Sequence, residues 1–196
     1  MTAPAYGDAM DVVDALEAAY EHGQMIFTGV RAEQMHDPTP CPLFDVAQLV
    51  EHAIGVMDLV TTGIGGQAGE AAGEAPSDPG AAFTGAARRS LAAWRGVGSM
   101  DATVTMPWGE STMRRTAEMA LTDVLAHTWD LAAATGQPRQ LPAEPAAIAL
   151  DFARGMLQPH FRADRPDAAF GPEVAVPDDA SVSDRLIGWL GRDPAR

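Results

Sequence analysis

Apolar and polar residues follow the 3.6-residue period of an α-helix along most of the chain. In residues 45–64, for example, the apolar positions Leu49, Ala53, Val56 and Val60 recur three or four residues apart. The same period predicts four long helices, at residues 8–30, 45–64, 79–95 and 114–135. Two more helices are predicted from about 142 to 158 and at 181–190.

Capping and helix-breaking residues support several of these boundaries. Three prolines in residues 37–42 exclude a helix there, because proline lacks the backbone donor and pushes its neighbours towards extended geometry. Asp45 then supplies an N-cap, with Gln48 three residues later as the second member of a capping box. Gly136 is a stop signal after the fourth helix.

Residues 102–113 have a different pattern. Residues 103–106 are rich in threonine and valine, and the turn-forming residues 107–110 follow them, so we expect a short hairpin. Trp108 in this turn is either a plug in the core or the wall of a pocket, of which we favour the plug. Residues 65–80 and 162–177, which are rich in glycine, alanine and proline, are predicted to be irregular.

Together these elements predict an all-α fold. We expect residues 1–196 to form one domain, an antiparallel four-helix bundle with a short β-hairpin and an extra C-terminal helix. The interior of such a bundle is a common place for a metal ion.

Composition and charge exclude several functions. The net charge of −14 argues against binding to nucleic acid or to an anionic membrane surface. No apolar run approaches the ~20 residues of a membrane span, and no secretory signal is visible, so we expect a cytoplasmic protein. The single cysteine, Cys41, excludes an internal disulfide and is interpreted as a buried thiol rather than a nucleophile.

Two residues of the fourth helix have the spacing of a metal site. Asp123 and His127 are four residues apart, so their side chains project side by side at the edge of the apolar face. A carboxylate and an imidazole one turn apart can bind a divalent ion when another helix adds a third ligand. His52, within or beside the apolar face of the second helix, is the candidate for that third ligand.

Four motifs, taken in order, resemble the DinB/YfiT-like metal-binding superfamily. They are Thr39-Pro40-Cys41-Pro42-Leu43-Phe44-Asp45, Leu49-Val50-x-His52, Asp123-x-x-x-His127-x-Trp129-Asp130-Leu131 and Ala134-Thr135-Gly136-Gln137. The order is most similar to the actinobacterial branch that shares the N-terminal domain of mycothiol-dependent maleylpyruvate isomerase. The resemblance implies a helical bundle that binds one divalent metal, usually zinc, through His52, Asp123 and His127. In the isomerase itself, glutamate stands where this chain has Asp123.

The resemblance also implies a chemistry. A thiol bound to such a metal ionises and becomes a nucleophile, which suits a thiol-dependent isomerase or S-transferase with mycothiol as cosubstrate. The alternatives are a non-catalytic metal- or ligand-binding accessory protein and a metal-dependent hydrolase. Asp130 either orients an imidazole from outside the ligand set or is a solvated or capping carboxylate. We expect a small thiol and an electrophilic substrate as partners, no nucleic acid or membrane, and a monomer or homodimer.

Overall fold

The structure, a computed structural model, describes residues 10–69, 75–157, 162 and 170–196. Within this part of the chain it is mainly helical, and the predicted all-α fold with a short hairpin is confirmed. The helices are α1 (Val12–Thr28), α2 (Val46–Gly63), α3 (Pro79–Arg95), α4 (Met113–Thr135), α5 (Ala143–Met156) and α6 (Val182–Trp189). The strands are β1 (Thr103–Met106) and β2 (Gly109–Thr112). Residues 8, 9, 70–74, 158 and 163–169 of the predicted segments lie outside the described residues.

Helix ends follow the local capping chemistry. At α2, the amide of Gln48 donates to the side chain of Asp45 (2.9 Å), and Gln48 accepts from the Asp45 amide (3.0 Å). This reciprocal pair is the predicted capping box. The helix α4 ends at Gly136, whose φ of 70° favours glycine because it has no Cβ.

The hairpin lies where the sequence predicts it, but its tip is exposed. The antiparallel strands pair Met106 with Gly109, leaving Pro107 and Trp108 in the turn between them. Val104 and Met106 point into the core, whereas Trp108 is 49% exposed. The prediction that Trp108 plugs the core is therefore wrong, because a residue at the tip of a two-residue turn projects away from the packed face of the hairpin.

The four longest helices share one core. Helices α1 and α2 each pack against both α3 and α4, α5 packs against α1 and α4, and α6 packs against α5. Phe83 of α3 stacks on Phe27 of α1, with ring centroids 4.1 Å apart, and both residues are fully buried in this core. None of the helices in the described ranges is both long and apolar enough to cross a membrane.

Helix α4 is enclosed on nearly all sides. Between Leu121 and Ala132, every residue except Asp123 is buried. The apolar pattern predicted a single buried face, because it does not show that α5 covers the opposite side of α4. Apart from Asp123, the side chains of the middle of α4 therefore meet protein rather than solvent, and its polar groups need partners there.

Candidate metal centre

The packing of α2 against α4 brings together the three residues that the sequence singled out. His52 from α2, and Asp123 and His127 from α4, each offer one potential ligand atom, and these atoms all lie within 4.8 Å of one another. The two imidazole rings meet edge to face, with centroids 4.8 Å apart. Nδ1 of His127 lies 3.4 Å from Oδ1 of Asp123. Two nitrogens and one carboxylate oxygen form a donor set that suits zinc.

One buried nitrogen at this site makes no hydrogen bond. Nδ1 of His127 has no hydrogen bond within the described part of the chain, although Oδ1 of Asp123 lies at ion-pair distance, 3.4 Å away. Buried polar atoms without a hydrogen bond are uncommon and call for an explanation. A cation held between His127, Asp123 and His52 would satisfy this nitrogen. The residues present therefore fit a divalent metal ion.

The charges of the three side chains depend on one another. Burial by itself lowers the pKa of His127, but the carboxylate of Asp123, with smaller contributions from Cys41 and Asp130, raises the pKa of His127 to about 10. Burial opposes ionisation of Asp123, yet His127 and then His52 hold the pKa of Asp123 below its usual range. Burial, followed by the nearby charge of His127, lowers the pKa of His52. In the absence of metal, an imidazolium at His127 therefore balances the carboxylate.

The loop before α2 fixes one wall of the site. The hydroxyl of Thr39 donates to the carbonyl oxygens of Cys41 (2.9 Å) and Phe44 (2.8 Å), which ties the proline-rich turn together. Phe44 stacks on His52, with ring centroids 4.6 Å apart. This stack limits the rotation of the His52 ring. The loop also places Cys41 in the interior, where its thiol is free and buried, as the sequence predicted.

A second cluster lies on another side of His127. Cys41, His127 and Asp130 are all buried, and they offer ligand atoms within the same 4.8 Å. Both oxygens of Asp130 accept hydrogen bonds from the guanidinium of Arg192, at 3.1 and 2.9 Å. Asp130 is fully buried, so it is not a solvated carboxylate; its predicted role in orienting an imidazole stays a prediction. The sequence offered no local signal for Arg192, which pairs with a residue 62 positions away.

Comparison with known proteins identifies the family. The model of the mycothiol maleylpyruvate isomerase N-terminal domain matches residues 16–132, which is more than half of the chain. The chain belongs to this family. The prediction made from the order of the motifs is thereby confirmed.

Two relatives match almost the whole chain. They are uncharacterized proteins of Mycobacterium tuberculosis strains CDC 1551 and H37Rv, each 34% identical over 186 residues. The match covers 93% of this chain and 98% of each relative. No solved structure matches significantly.

The isomerase-domain match includes all three candidate ligands and ends before α5. His52, Asp123 and His127 lie inside residues 16–132, as do Cys41 and Asp130. Arg192 lies outside this range, in the segment after α6. Its ion pair with Asp130 therefore joins the C-terminal segment to the part of the chain that defines the family.

A cavity of about 930 Å³ adjoins the site between α2 and α3. Its lining is largely apolar, with an ion pair between Asp58 and Arg89 (3.0 Å) at one part of the wall. His52 and Phe44 line this cavity, whereas Asp123 and His127 do not. His52 is therefore the side chain that both lines the cavity and belongs to the candidate ligand set. The volume is within the range of pockets that bind small molecules.

Proposed function

We propose that this protein binds one divalent metal ion, with zinc as the best candidate, through His52, Asp123 and His127. The observation that carries the proposal is the convergence of these three groups around the buried Nδ1 of His127, which makes no hydrogen bond within the described residues and lies 3.4 Å from Oδ1 of Asp123. Two neutral imidazoles and one carboxylate give a donor set with a single negative charge. Such a set leaves an open coordination position of the kind found in catalytic sites.

We further propose that the site activates mycothiol for attack on a small electrophile, as an isomerase or S-transferase does. A bound divalent ion lowers the pKa of a coordinated thiol and so supplies a thiolate at neutral pH. The family description names mycothiol, which supports this choice of thiol. A thiol-dependent reaction also suits the cytosol, where thiols stay reduced.

The chain's own residues have distinct tasks in this proposal. Asp123, whose side chain is 25% exposed, leaves the ligand set open to small molecules, whereas His127 is buried and anchors it. Phe44 holds the ring of His52 by stacking. The cavity beside His52 offers an apolar surface for the electrophilic substrate.

The first test is metal content. Protein purified without added metal is analysed for bound metal, and cobalt is then substituted to give a spectroscopic signal. H127A should abolish binding, because it removes the ligand that both other groups surround. H36A is the matched control, since the His36 side chain is 92% exposed and lies outside the ligand set. Occupancy near one ion per chain in H127A would show that the ligand assignment is wrong.

The second test is thiol binding. Mycothiol is titrated into the cobalt-substituted protein, and a new thiolate-to-cobalt band is expected as the thiol binds. Metal binding without any spectral change on addition of mycothiol would contradict the thiol-dependent reaction. That outcome would favour a metal-binding accessory protein or a hydrolase in which water attacks.

A further inference from the structure

The imidazole of His127 belongs to two sets of potential metal ligands. One set adds His52 and Asp123, and the other adds Cys41 and Asp130. The second set is the more deeply buried, and its thiol is a strong ligand for soft and borderline metal ions. Ligand type alone therefore does not explain why a metal ion would choose the first set.

Arg192 distinguishes the two sets. Its Nε donates to Oδ1 of Asp130 (3.1 Å), and its Nη2 donates to Oδ2 (2.9 Å), so each carboxylate oxygen already has a partner. Its Nη1 donates to the carbonyl oxygen of Leu190 (3.1 Å), which fixes the guanidinium to the end of α6. Asp130 is fully buried and Arg192 is only 8% exposed, so solvent screens this charge little.

We propose that Arg192 is a positioning residue that determines which of the two ligand sets containing His127 binds the metal ion. Its guanidinium donates hydrogen bonds to both oxygens of the Asp130 carboxylate, so these oxygens are not free to bind a metal ion. It also places a positive charge beside the second set, and this charge repels a metal cation. The ion is thereby directed to His52, Asp123 and His127. This inference rests on the metal binding proposed above, but not on the thiol-dependent reaction.

Loss of the guanidinium has a defined consequence. In R192Q, neither the positive charge nor the two-pronged hydrogen bond remains, and Asp130 becomes available as a ligand. Cys41, His127 and Asp130 then bind the ion together, and the thiol of Cys41 and the ring of His127 each release a proton to solvent as they bind the metal. The new donor set contains sulfur, whereas the original set contains only nitrogen and oxygen.

The test is the absorption spectrum of the cobalt-substituted full-length protein, without added thiol. The wild type should show no thiolate-to-cobalt charge-transfer band in the near ultraviolet, and R192Q should show one that rises in proportion to bound cobalt. The double variant R192Q/C41S should lose the band. R192K keeps the positive charge without the guanidinium fork, and it should remain without the band.

Three results would overturn the proposal. A folded R192Q with the wild-type spectrum would show that Arg192 does not choose between the ligand sets. A sulfur band in wild-type protein loaded with cobalt, or with the more thiophilic cadmium, would show that Arg192 does not exclude Cys41. If R192Q fails to fold by circular dichroism, the wild-type measurement can still overturn the proposal. Absence of metal from the wild type would instead overturn the proposed function together with this inference.

Discussion

Nδ1 of His127 and Oδ1 of Asp123 lie 3.4 Å apart on successive turns of α4. Residues four apart in a helix project on the same side, so this contact follows from the backbone of α4 itself. His52 comes from another helix and completes the set only because α2 packs against α4. The site therefore combines one local pair with one long-range partner.

The affinity for metal should depend less on the length of the acidic side chain at position 123 than on its charge. We expect D123E to keep the metal site, with a loss in affinity of about tenfold or less, because the carboxylate remains and the helix can adjust slightly. D123N keeps the size but removes the charge, and it should lose affinity by at least about 100-fold. Cobalt titration compares the two variants. Equal affinities of D123N and the wild type would contradict the assignment of Asp123 as a ligand.

Metal binding should release a proton from His127. The pKa of His127 is raised to about 10, so this residue is protonated at pH 7 in the metal-free protein, and the ion must displace that proton. The pKa values of Asp123 and His52 are both lowered, so neither side chain carries a proton to lose at neutral pH. Affinity should therefore rise about tenfold per pH unit between roughly pH 7 and 9.

Calorimetry in buffers of different ionisation enthalpy measures this proton count directly. D123N provides the control, because the carboxylate of Asp123 is the main group that opposes the effect of burial on the pKa of His127. The remaining affinity should then depend less on pH above neutral pH than in the wild type. A pH-independent affinity in the wild type would show that His127 is already neutral before metal binds.

Removal of only one partner from the buried ion pair between Asp130 and Arg192 should strongly destabilise the folded protein. R192A leaves the fully buried carboxylate of Asp130 without its partner, and we expect the free energy of unfolding to fall by about 3–5 kcal/mol. The apolar double variant D130L/R192L should lose much less, because no unpaired charge remains. Denaturant unfolding measures both variants.

The exposed ion pair between Glu17 and Arg95 is the matched control for this measurement. Its side chains are 38% and 57% exposed, so solvent screens the interaction. E17Q should change the free energy of unfolding by no more than about 1 kcal/mol. A similarly small effect of R192A would mean that water reaches Asp130 when the arginine is removed.

Two glycines within helices should respond in opposite directions to alanine. A Cβ at Gly23 would lie 2.6 Å from Cζ of Phe83, which is fully buried and stacked on Phe27, so the neighbour cannot move away cheaply. G23A should therefore destabilise the protein by about 1–2 kcal/mol.

At Gly55 the same substitution meets no atom within 4 Å, and the residue is exposed. G55A should stabilise the protein by about 0.5–1 kcal/mol, because alanine has the higher helix propensity. Thermal unfolding of the two variants provides the comparison. Equal shifts in Tm would show that α1 moves aside to accommodate the extra methyl group.

Sequence reasoning located the elements well because their signals are local. The capping box of Asp45 and Gln48, the stop at Gly136 and the periodicity of α2 each depend on residues within one or two turns. The same reasoning failed at Trp108, where burial depends on what packs against the hairpin. It also missed that the middle of α4 is buried on nearly all sides, since the covering helix α5 comes later in the chain.

The amino-acid sequence by itself determined the helices, the hairpin, the family and the three candidate ligands, since periodicity, capping and motif order are properties of neighbouring residues. Only the tertiary structure decided how these ligands meet, that Nδ1 of His127 makes no hydrogen bond within the described residues, and that Arg192 pairs with Asp130. His52 and His127 are 75 positions apart in the sequence, and Asp130 and Arg192 are 62 positions apart. Helix packing brings such distant residues into contact, and no local pattern of side chains specifies that packing.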